Sequence, residues 1–148
     1  MPKHILVATD GSELAAKAIT YAINLARDTN AKLTAVTVSE AWSPLEIASK
    51  AQAGHFTAIA EFESHAADIA GKILAKAVGQ AKTGGISMET RHVADSRPAD
   101  GIVATAQDDN CDLIVMASHG RRGVSKLVLG SQAQEVLGNT TIPVLICR

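Results

Sequence analysis

A loop of small and basic residues follows an apolar run near the carboxyl end of the chain. The run extends from Leu113 to Met116, and after the loop a helical pattern extends from Gln132 to Leu137. A strand, a loop of small residues and a helix start, in this order, present free backbone N–H groups to phosphate. Ordinary surface turns have a similar composition, so the local residues leave phosphate binding and a solvated basic turn as two open alternatives.

Several residues of this loop have the chemistry that a phosphate site needs. The glycines Gly120, Gly123 and Gly130 can adopt positive φ and let a ligand approach the main chain. Ser131 can cap the following helix or bind a phosphate oxygen. Three side chains of the same loop supply positive charge: Arg121, Arg122 and Lys126.

Apolar runs and helical patterns alternate along the chain, and this alternation predicts a doubly wound α/β fold. We expect a single open parallel sheet of five strands, in the order 3-2-1-4-5, with helices on both faces. The expected strands are 3–9, 32–38, 86–93, 112–116 and 142–147, and the expected helices are 13–28, 56–82, 98–109 and 132–137. Residues 39–54 have no clear period and are expected to form a mobile loop with a helical end.

The predicted strand order brings two distant parts of the sequence together. Asp10 ends the first strand, and the stretch from Ala117 to Gly120 follows the fourth. If these strands are neighbours, both stretches lie at the reversal of strand order, where open parallel sheets bind ligands. Helix capping by Asp10 or Ser12 is the alternative that requires no ligand.

The spacing Ala117-Ser-His-Gly120, nine residues, Gly130-Ser131 resembles the signature of the universal stress protein family. The ATP-binding members of that family carry Gly-x2-Gly-x9-Gly-Ser/Thr. The resemblance begins at Ile5-Leu-Val-Ala-Thr-Asp-Gly-Ser12 and ends at Ile142-Pro-Val-Leu-Ile146. Ala117 replaces the first glycine of the signature, and its methyl group is expected to weaken ligand binding while leaving the fold unchanged.

The resemblance implies a site for ATP, with or without Mg²⁺, and roles for the matching residues. Asp10 would contact the nucleoside, the main chain of Thr9 would face adenine, and Val38 would be either an apolar wall for the ring or plain core. The phosphates would lie over Gly120 and Gly130-Ser131, with the Gln132 N–H alongside. Arg121 and Arg122 would either neutralise phosphate charge or form a solvated pair, and His119 would support the loop. The candidate binding residues are Thr9, Asp10, Val38, Met116, Ala117, His119, Gly120, Arg121, Gly130, Ser131 and Gln132.

Length and composition restrict the class of protein. The 148 residues suit one domain over 1–148, and a hydrophobic content of 47% argues against disorder. No apolar run reaches the length of a membrane span. The chain passes from Met1-Pro-Lys-His4 directly into a strand, without a secretory segment, so we expect a cytoplasmic protein.

Charge and rare residues argue against several kinds of partner and cofactor. The net charge is −1, from 14 basic and 15 acidic residues, which gives no general attraction to nucleic acid. The five histidines lack metal-ligand spacing, so we expect no metal site built from protein ligands alone. Cys111 and Cys147 lie beside apolar residues and are expected to be free buried thiols.

The expected function is that of an ATP-binding sensor or signalling module in a stress response. Two alternatives remain open: an interaction module that has lost its nucleotide, and a slow ATPase or autophosphorylating protein that uses Asp10, His119 or Ser131. No residue is assigned a catalytic role. The apolar strand 142–147 lies at a sheet edge, and such an edge is expected to pair with a second copy as a homodimer. Further protein partners are expected but not identified.

Overall fold

Five parallel strands form one sheet in the computed structural model, which describes residues 1–40, 44–54, 56–121 and 128–148. The strands are β1 (His4–Ala8), β2 (Lys32–Val38), β3 (Glu89–Val93), β4 (Leu113–Ala117) and β5 (Val144–Cys147). Their order is β3-β2-β1-β4-β5, and each neighbouring pair is parallel. The predicted strand order is therefore confirmed.

Helices cover both faces of this sheet, as the alternating pattern predicted. They are α1 (Glu13–Thr29), α2 (Pro44–Gln52), α3 (Phe56–Thr83), α4 (Pro98–Asp108) and α5 (Ser131–Asn139). Buried residues of α1 and α3 form one hydrophobic cluster with the sheet, and those of α4 and α5 form a second cluster on the opposite face. The central strands β1 and β4 are nearly continuous apolar runs because both of their faces are covered.

The turn after β1 begins α1 through a side-chain cap. The Ser12 hydroxyl accepts the N–H of Ala15 at 3.2 Å, and Glu13 places a negative charge in the first turn. This confirms the capping alternative for Ser12. Asn30 caps the carboxyl end of the helix. Its backbone is left-handed (φ 55°), and its N–H donates to the carbonyl groups of Ala26 and Arg27.

The helical end expected within residues 39–54 is α2, which covers more of this segment than the sequence indicated. Pro44 starts this helix, Glu46 lies in its first turn and Lys50 in its last, all of which favour a helix. The helical period is absent from the sequence because residues 45–50 are all exposed, so no buried face selects apolar residues every third or fourth position. Residues 41–43 lie outside the described part of the chain.

Strand β3 begins three residues later than the sequence predicted. The N–H of Ile86 donates to the carbonyl of Ala81 at 3.0 Å, after Gly85 adopts positive φ (78°). Ile86 therefore belongs to the exit from α3, in which a left-handed glycine reverses the chain. The predicted position of β3 at the sheet edge is confirmed.

A carboxylate joins the amino ends of β1 and β4. Asp112, just before β4, accepts the N–H of Lys3 at 3.0 and 2.9 Å and that of His4 at 3.0 Å. Burial alone would raise the pKa of this carboxyl, but the two backbone N–H groups lower it below its ordinary value. The neighbouring Cys111 is a free thiol, and burial raises its pKa to about 11.

Gly101 in α4 allows the helix to pack against the ends of β2 and β3. A β-carbon at this position would lie 2.8 and 3.1 Å from the γ carbons of Val38, and 3.3 Å from one of Val93. These side chains are branched at Cβ and stiff, so they adjust poorly to an added methyl group. The side chains of Val38 and Val93 therefore fill the space beside Gly101.

We predict that Gly101→Ala destabilises the protein by about 1–3 kcal/mol, the usual cost of overpacking a core. The matched control is Gly71→Ala in α3, because a β-carbon there would meet nothing within 4 Å. That change should stabilise the protein by roughly 0.5–1 kcal/mol through helix propensity. Denaturant unfolding measures both variants, and equal gains in stability would contradict the close packing at Gly101.

Candidate functional site

The candidate crevice lies at the carboxyl ends of β1 and β4, the central pair at which strand order reverses. The loop after β1 comprises residues 9–12, and the described start of the loop after β4 comprises residues 118–121. A hydrogen bond from the Arg121 N–H to the Asp10 carboxylate joins the two loops. The two stretches that the sequence predicted to meet therefore do so.

Asp10 bridges these loops with both of its carboxylate oxygens. Oδ1 accepts the N–H of Ser12 at 2.9 Å, and Oδ2 accepts the N–H of Arg121 at 2.9 Å. The first contact fixes the carboxylate against its own loop, as in an Asx turn. The second crosses 111 residues of sequence to the loop after β4. Asp10 is therefore engaged by main-chain donors of both loops.

Gly120 and Gly11 are needed for close contacts at this bridge. A β-carbon on Gly120 would lie 2.7 Å from Oδ2 of Asp10, so any side chain there would force the carboxylate to shift. Gly11 has positive φ (79°), and a β-carbon there would lie 3.0 Å from both Nη2 of Arg121 and Cγ1 of Ile73. This role of Gly11 was not predicted from the sequence, although the run Asp-Gly-Ser is typical of such turns.

Gly120 and Gly130 do not use the positive φ that glycine permits. In the described part of the chain, the glycines with positive φ are Gly11, Gly54 and Gly85. Gly130 has φ −61°, and its N–H donates to the Ser118 carbonyl at 2.8 Å. A β-carbon there would lie 2.6 Å from that same carbonyl oxygen. Gly130 is therefore needed because the start of α5 packs closely against the main chain at Ser118.

The amino end of α5 lies beside the loop after β4, and its first N–H groups have no partner within the helix. Gly130 is the residue before the helix, and Ser131 is its first residue, so the expected capping role of Ser131 was wrong. The first helical hydrogen bond runs from the Gln134 N–H to the Gly130 carbonyl at 3.0 Å. The N–H groups of the three preceding residues therefore have no partner within the helix: Ser131, Gln132 and Ala133.

Two further polar side chains adjoin this helix end. The Oε1 atom of Gln132 is buried and has no hydrogen-bond partner. His119 places Nδ1 3.0 Å from the hydroxyl of the buried Ser118, whose N–H donates to the Cys147 carbonyl at 2.7 Å. His119 is thus tied to a residue that anchors the loop to β5.

The remaining candidates differ in what they expose to the crevice. Thr9 is buried, accepts the Gly11 N–H at 3.2 Å and donates its own N–H to Val36. Met116 is buried in the cluster of α4 and α5, whereas Val38 is half-buried against the same cluster. Ala117 is half-buried at the end of β4. The Met116 side chain is therefore part of the hydrophobic core.

Arg121 is exposed, and its guanidinium lies over Gly11, beside Ile73 of α3. This places its charge above the loop after β1 and on the side of the sheet that α3 covers. Three other residues that the sequence analysis assigned to the loop lie outside the described residues: Arg122, Gly123 and Lys126.

The described residues contain neither a cluster of metal ligands nor a helix that could span a membrane. No group of three His, Cys, Asp or Glu side chains is close enough to hold a metal ion in the part of the chain that the structure describes. Within the same ranges, no helix combines the length and apolarity needed to cross a membrane.

The chain matches the family model "Universal stress protein family" over residues 1–148. A universal stress protein of Methanocaldococcus jannaschii is 32% identical over 146 residues, which cover 99% of this chain and 82% of that protein. The universal stress protein YxiE of Bacillus subtilis is 33% identical over 150 residues, covering 97% of each chain.

Solved structures share the fold over nearly the whole chain. UspA from Lactobacillus plantarum superposes with a TM-score of 0.81 at 24% identity, covering 99% of this chain and 97% of that one. A universal stress protein in complex with cAMP gives 0.69 at 26% identity, with coverage of 99% and 97%. The universal stress protein of Archaeoglobus fulgidus in complex with dAMP gives 0.73 at 21% identity, with coverage of 99% and 98%. The chain belongs to the universal stress protein family.

Proposed function

We propose that this protein binds ATP in the crevice between β1 and β4 and acts as a nucleotide-dependent sensor in a stress response. The observation that carries the proposal is the amino end of α5, where three N–H groups have no partner within the helix. Such an end attracts phosphate through its donors and its dipole. The relatives in complex with cAMP and dAMP support a nucleotide as the phosphate compound.

In the proposed complex, the phosphates lie over Gly120 and Gly130. The Ser131 hydroxyl and N–H, with the Gln132 N–H, donate to phosphate oxygens, and Arg121 swings from Gly11 towards the phosphate charge. The exposed position of Arg121 is compatible with this movement.

The nucleoside is proposed to lie nearer to β1 and β2. Asp10 retains lone-pair positions besides the two that accept N–H groups, so a ribose hydroxyl or the adenine amine has an acceptor there. Thr9, Met116 and Ala117 contribute main-chain surface, and the exposed part of Val38 contributes an apolar wall. His119 supports the loop through Ser118.

The proposed site holds ATP without the groups that rapid hydrolysis needs. Fast phosphoryl transfer requires a metal held by carboxylates and a positioned nucleophile. The sequence has no Asp or Glu from 113 to 134, and both Asp10 oxygens already accept main-chain N–H groups. Mg²⁺ would therefore be held mainly by the phosphates. Turnover above roughly one per second, the low end for ordinary enzymes, would instead support the ATPase alternative.

Signalling is proposed to occur through protein contacts in the cytoplasm. ATP occupancy would change the surface that a protein partner meets beside the loop after β4. Free thiols at Cys111 and Cys147, without a disulfide, are in keeping with a reducing compartment.

We predict that Ser131→Pro lowers ATP affinity more than Ser131→Ala does. Alanine removes only the hydroxyl, whereas proline also removes the N–H, and proline is well tolerated at the first position of a helix. The extended backbone of Gly130 (φ −61°, ψ 154°) suits a residue before proline. We expect losses of about five- to tenfold for alanine and a further tenfold for proline, based on about 1–1.5 kcal/mol per hydrogen bond. Calorimetry on the purified protein measures both.

The control for this series is Ser87→Ala, an exposed serine at the opposite end of the sheet, which should leave ATP affinity unchanged. Gly130→Val is unsuitable because its side chain would displace the Ser118 carbonyl. If wild type binds no ATP and carries no nucleotide after purification, the nucleotide-free alternative is correct. Ala117→Gly then tests its cause, since removal of the methyl group should restore binding.

The homodimer is proposed to form through β5. All four residues of β5 are half-buried at an open edge, whereas the opposite edge strand β3 carries charges that form ion pairs. The Ile114 N–H donates to the Pro143 carbonyl and the Ser118 N–H to the Cys147 carbonyl. Because strand residues alternate, the main-chain groups of Val144 and Ile146 point outward, where a second copy can pair.

We predict that wild type is a dimer and that Val144→Pro is a monomer, because proline removes an outward N–H while keeping a similar volume. The matched control is Val144→Ala, which loses side-chain contacts but retains the N–H and should remain dimeric. Light scattering gives the mass of each. A monomeric wild type, or a dimeric Val144→Pro, would rule out pairing through this strand.

A further inference from the structure

We propose that Asp10 is a positioning residue for the phosphate-binding loop, acting through the main chain of Arg121. The inference rests on the proposed function, because it assigns to Asp10 a role at the phosphate end of the same site. Asp10 sets the position of the loop after β4 before any nucleotide arrives, and it does so whether or not it also touches the nucleoside.

The geometry shows a carboxylate held in advance by its own loop. The Ser12 N–H binds Oδ1 at 2.9 Å, so the side chain is fixed with Oδ2 directed across the crevice. Oδ2 then accepts the Arg121 N–H at 2.9 Å. Because hydrogen bonds to a charged acceptor are stronger than those between neutral groups, this contact is a suitable anchor for an exposed loop.

The described part of the loop is held at two places: Ser118 bonds to β5 and to the start of α5 through its main chain, and Arg121 bonds to Asp10. Of residues 119–121 in the described part of the chain, only Arg121 has a main-chain hydrogen bond to another loop or strand. His119 contacts the hydroxyl of the adjacent Ser118. The hydrogen bond to Asp10 therefore holds the main chain beyond Ser118, where it runs towards the proposed phosphate position.

Two glycines provide the space that this contact requires. Gly120 lets Oδ2 of Asp10 approach the loop closely, because a β-carbon at this position would lie 2.7 Å from that oxygen. Gly11 similarly allows the Arg121 guanidinium to lie above the loop after β1. Gly120 is thus explained by the Asp10 contact in the free protein, without reference to a ligand.

Two ligands separate a positioning role from a nucleoside contact: ATP and inorganic tripolyphosphate, which has no ribose or base. For Asp10→Asn and Asp10→Ala, we expect the affinity for tripolyphosphate to fall about tenfold or more, the usual effect of losing a hydrogen bond to a charged group, and the affinity for ATP to fall by at least the same factor. A loss for ATP alone would overturn the proposal, because Asp10 would then act on the nucleoside.

Charge is controlled by Asp28→Asn, which removes the same negative charge from a carboxylate that is 72% exposed at the far end of α1. Removal of a negative charge by itself favours anion binding, so a purely electrostatic role of Asp10 predicts tighter binding of tripolyphosphate by the Asp10 variants. Unchanged or tighter binding would therefore also overturn the proposal.

Amide hydrogen exchange in the nucleotide-free protein tests the contact without any ligand. We expect the Arg121 amide to exchange about tenfold faster in Asp10→Asn, and also in Gly120→Ala, where the methyl group displaces the carboxylate. The Val115 and Ser118 amides should keep their wild-type rates, as they would not if the fold were generally weakened. An unchanged rate at Arg121 would overturn the positioning role. If wild type binds neither ligand, the proposed function fails, and this measurement still decides the role of Asp10.

Discussion

The pairing of β1 with β4 at the centre of the sheet is the interaction on which the rest of the structure depends. A carboxylate joins the two strands at each end: Asp112 accepts the N–H groups of Lys3 and His4, and Asp10 accepts the N–H of Arg121. Each carboxylate lies just outside one of the two strands and accepts main-chain N–H groups in or beside the other strand. The relative position of the two strands, and of the loops that follow them, is therefore set by hydrogen bonds as well as by burial.

Close packing of the main chain explains why small residues gather around the crevice. At Gly101, Gly120 and Gly130, a β-carbon would approach a side chain or carbonyl within 3 Å. At Gly71 and Gly138, it would meet nothing within 4 Å. The first group separates segments that must touch, whereas the second is free to change. These glycines are needed because chain segments pack closely there, more than because glycine permits unusual backbone angles.

The two edges of the sheet differ in their chemistry. On β3, Glu89 binds Lys32 at 3.0 Å, a contact that lowers the pKa of Glu89, and Arg91 binds Asp109 at 3.2 Å. Charged, exposed side chains of this kind discourage another strand from pairing with the edge. On β5, the residues from Val144 to Cys147 are uncharged and half-buried. The same sheet thus has one edge strand with paired charges and one edge strand without charges.

The sequence by itself determined the strand order and the meeting of Asp10 with the loop after β4, because apolar runs alternating with helical patterns permit few arrangements of a parallel sheet. It indicated a helical end within residues 39–54 but not the bounds of α2, since an exposed helix has no buried face and leaves no apolar period. Nor did it show that Ser131 begins α5 rather than capping it, or that Gly120 gives room to Asp10. Those features depend on distances between segments up to 111 residues apart. Only the packed tertiary structure decides such distances, because they result from all the contacts that hold the two loops together.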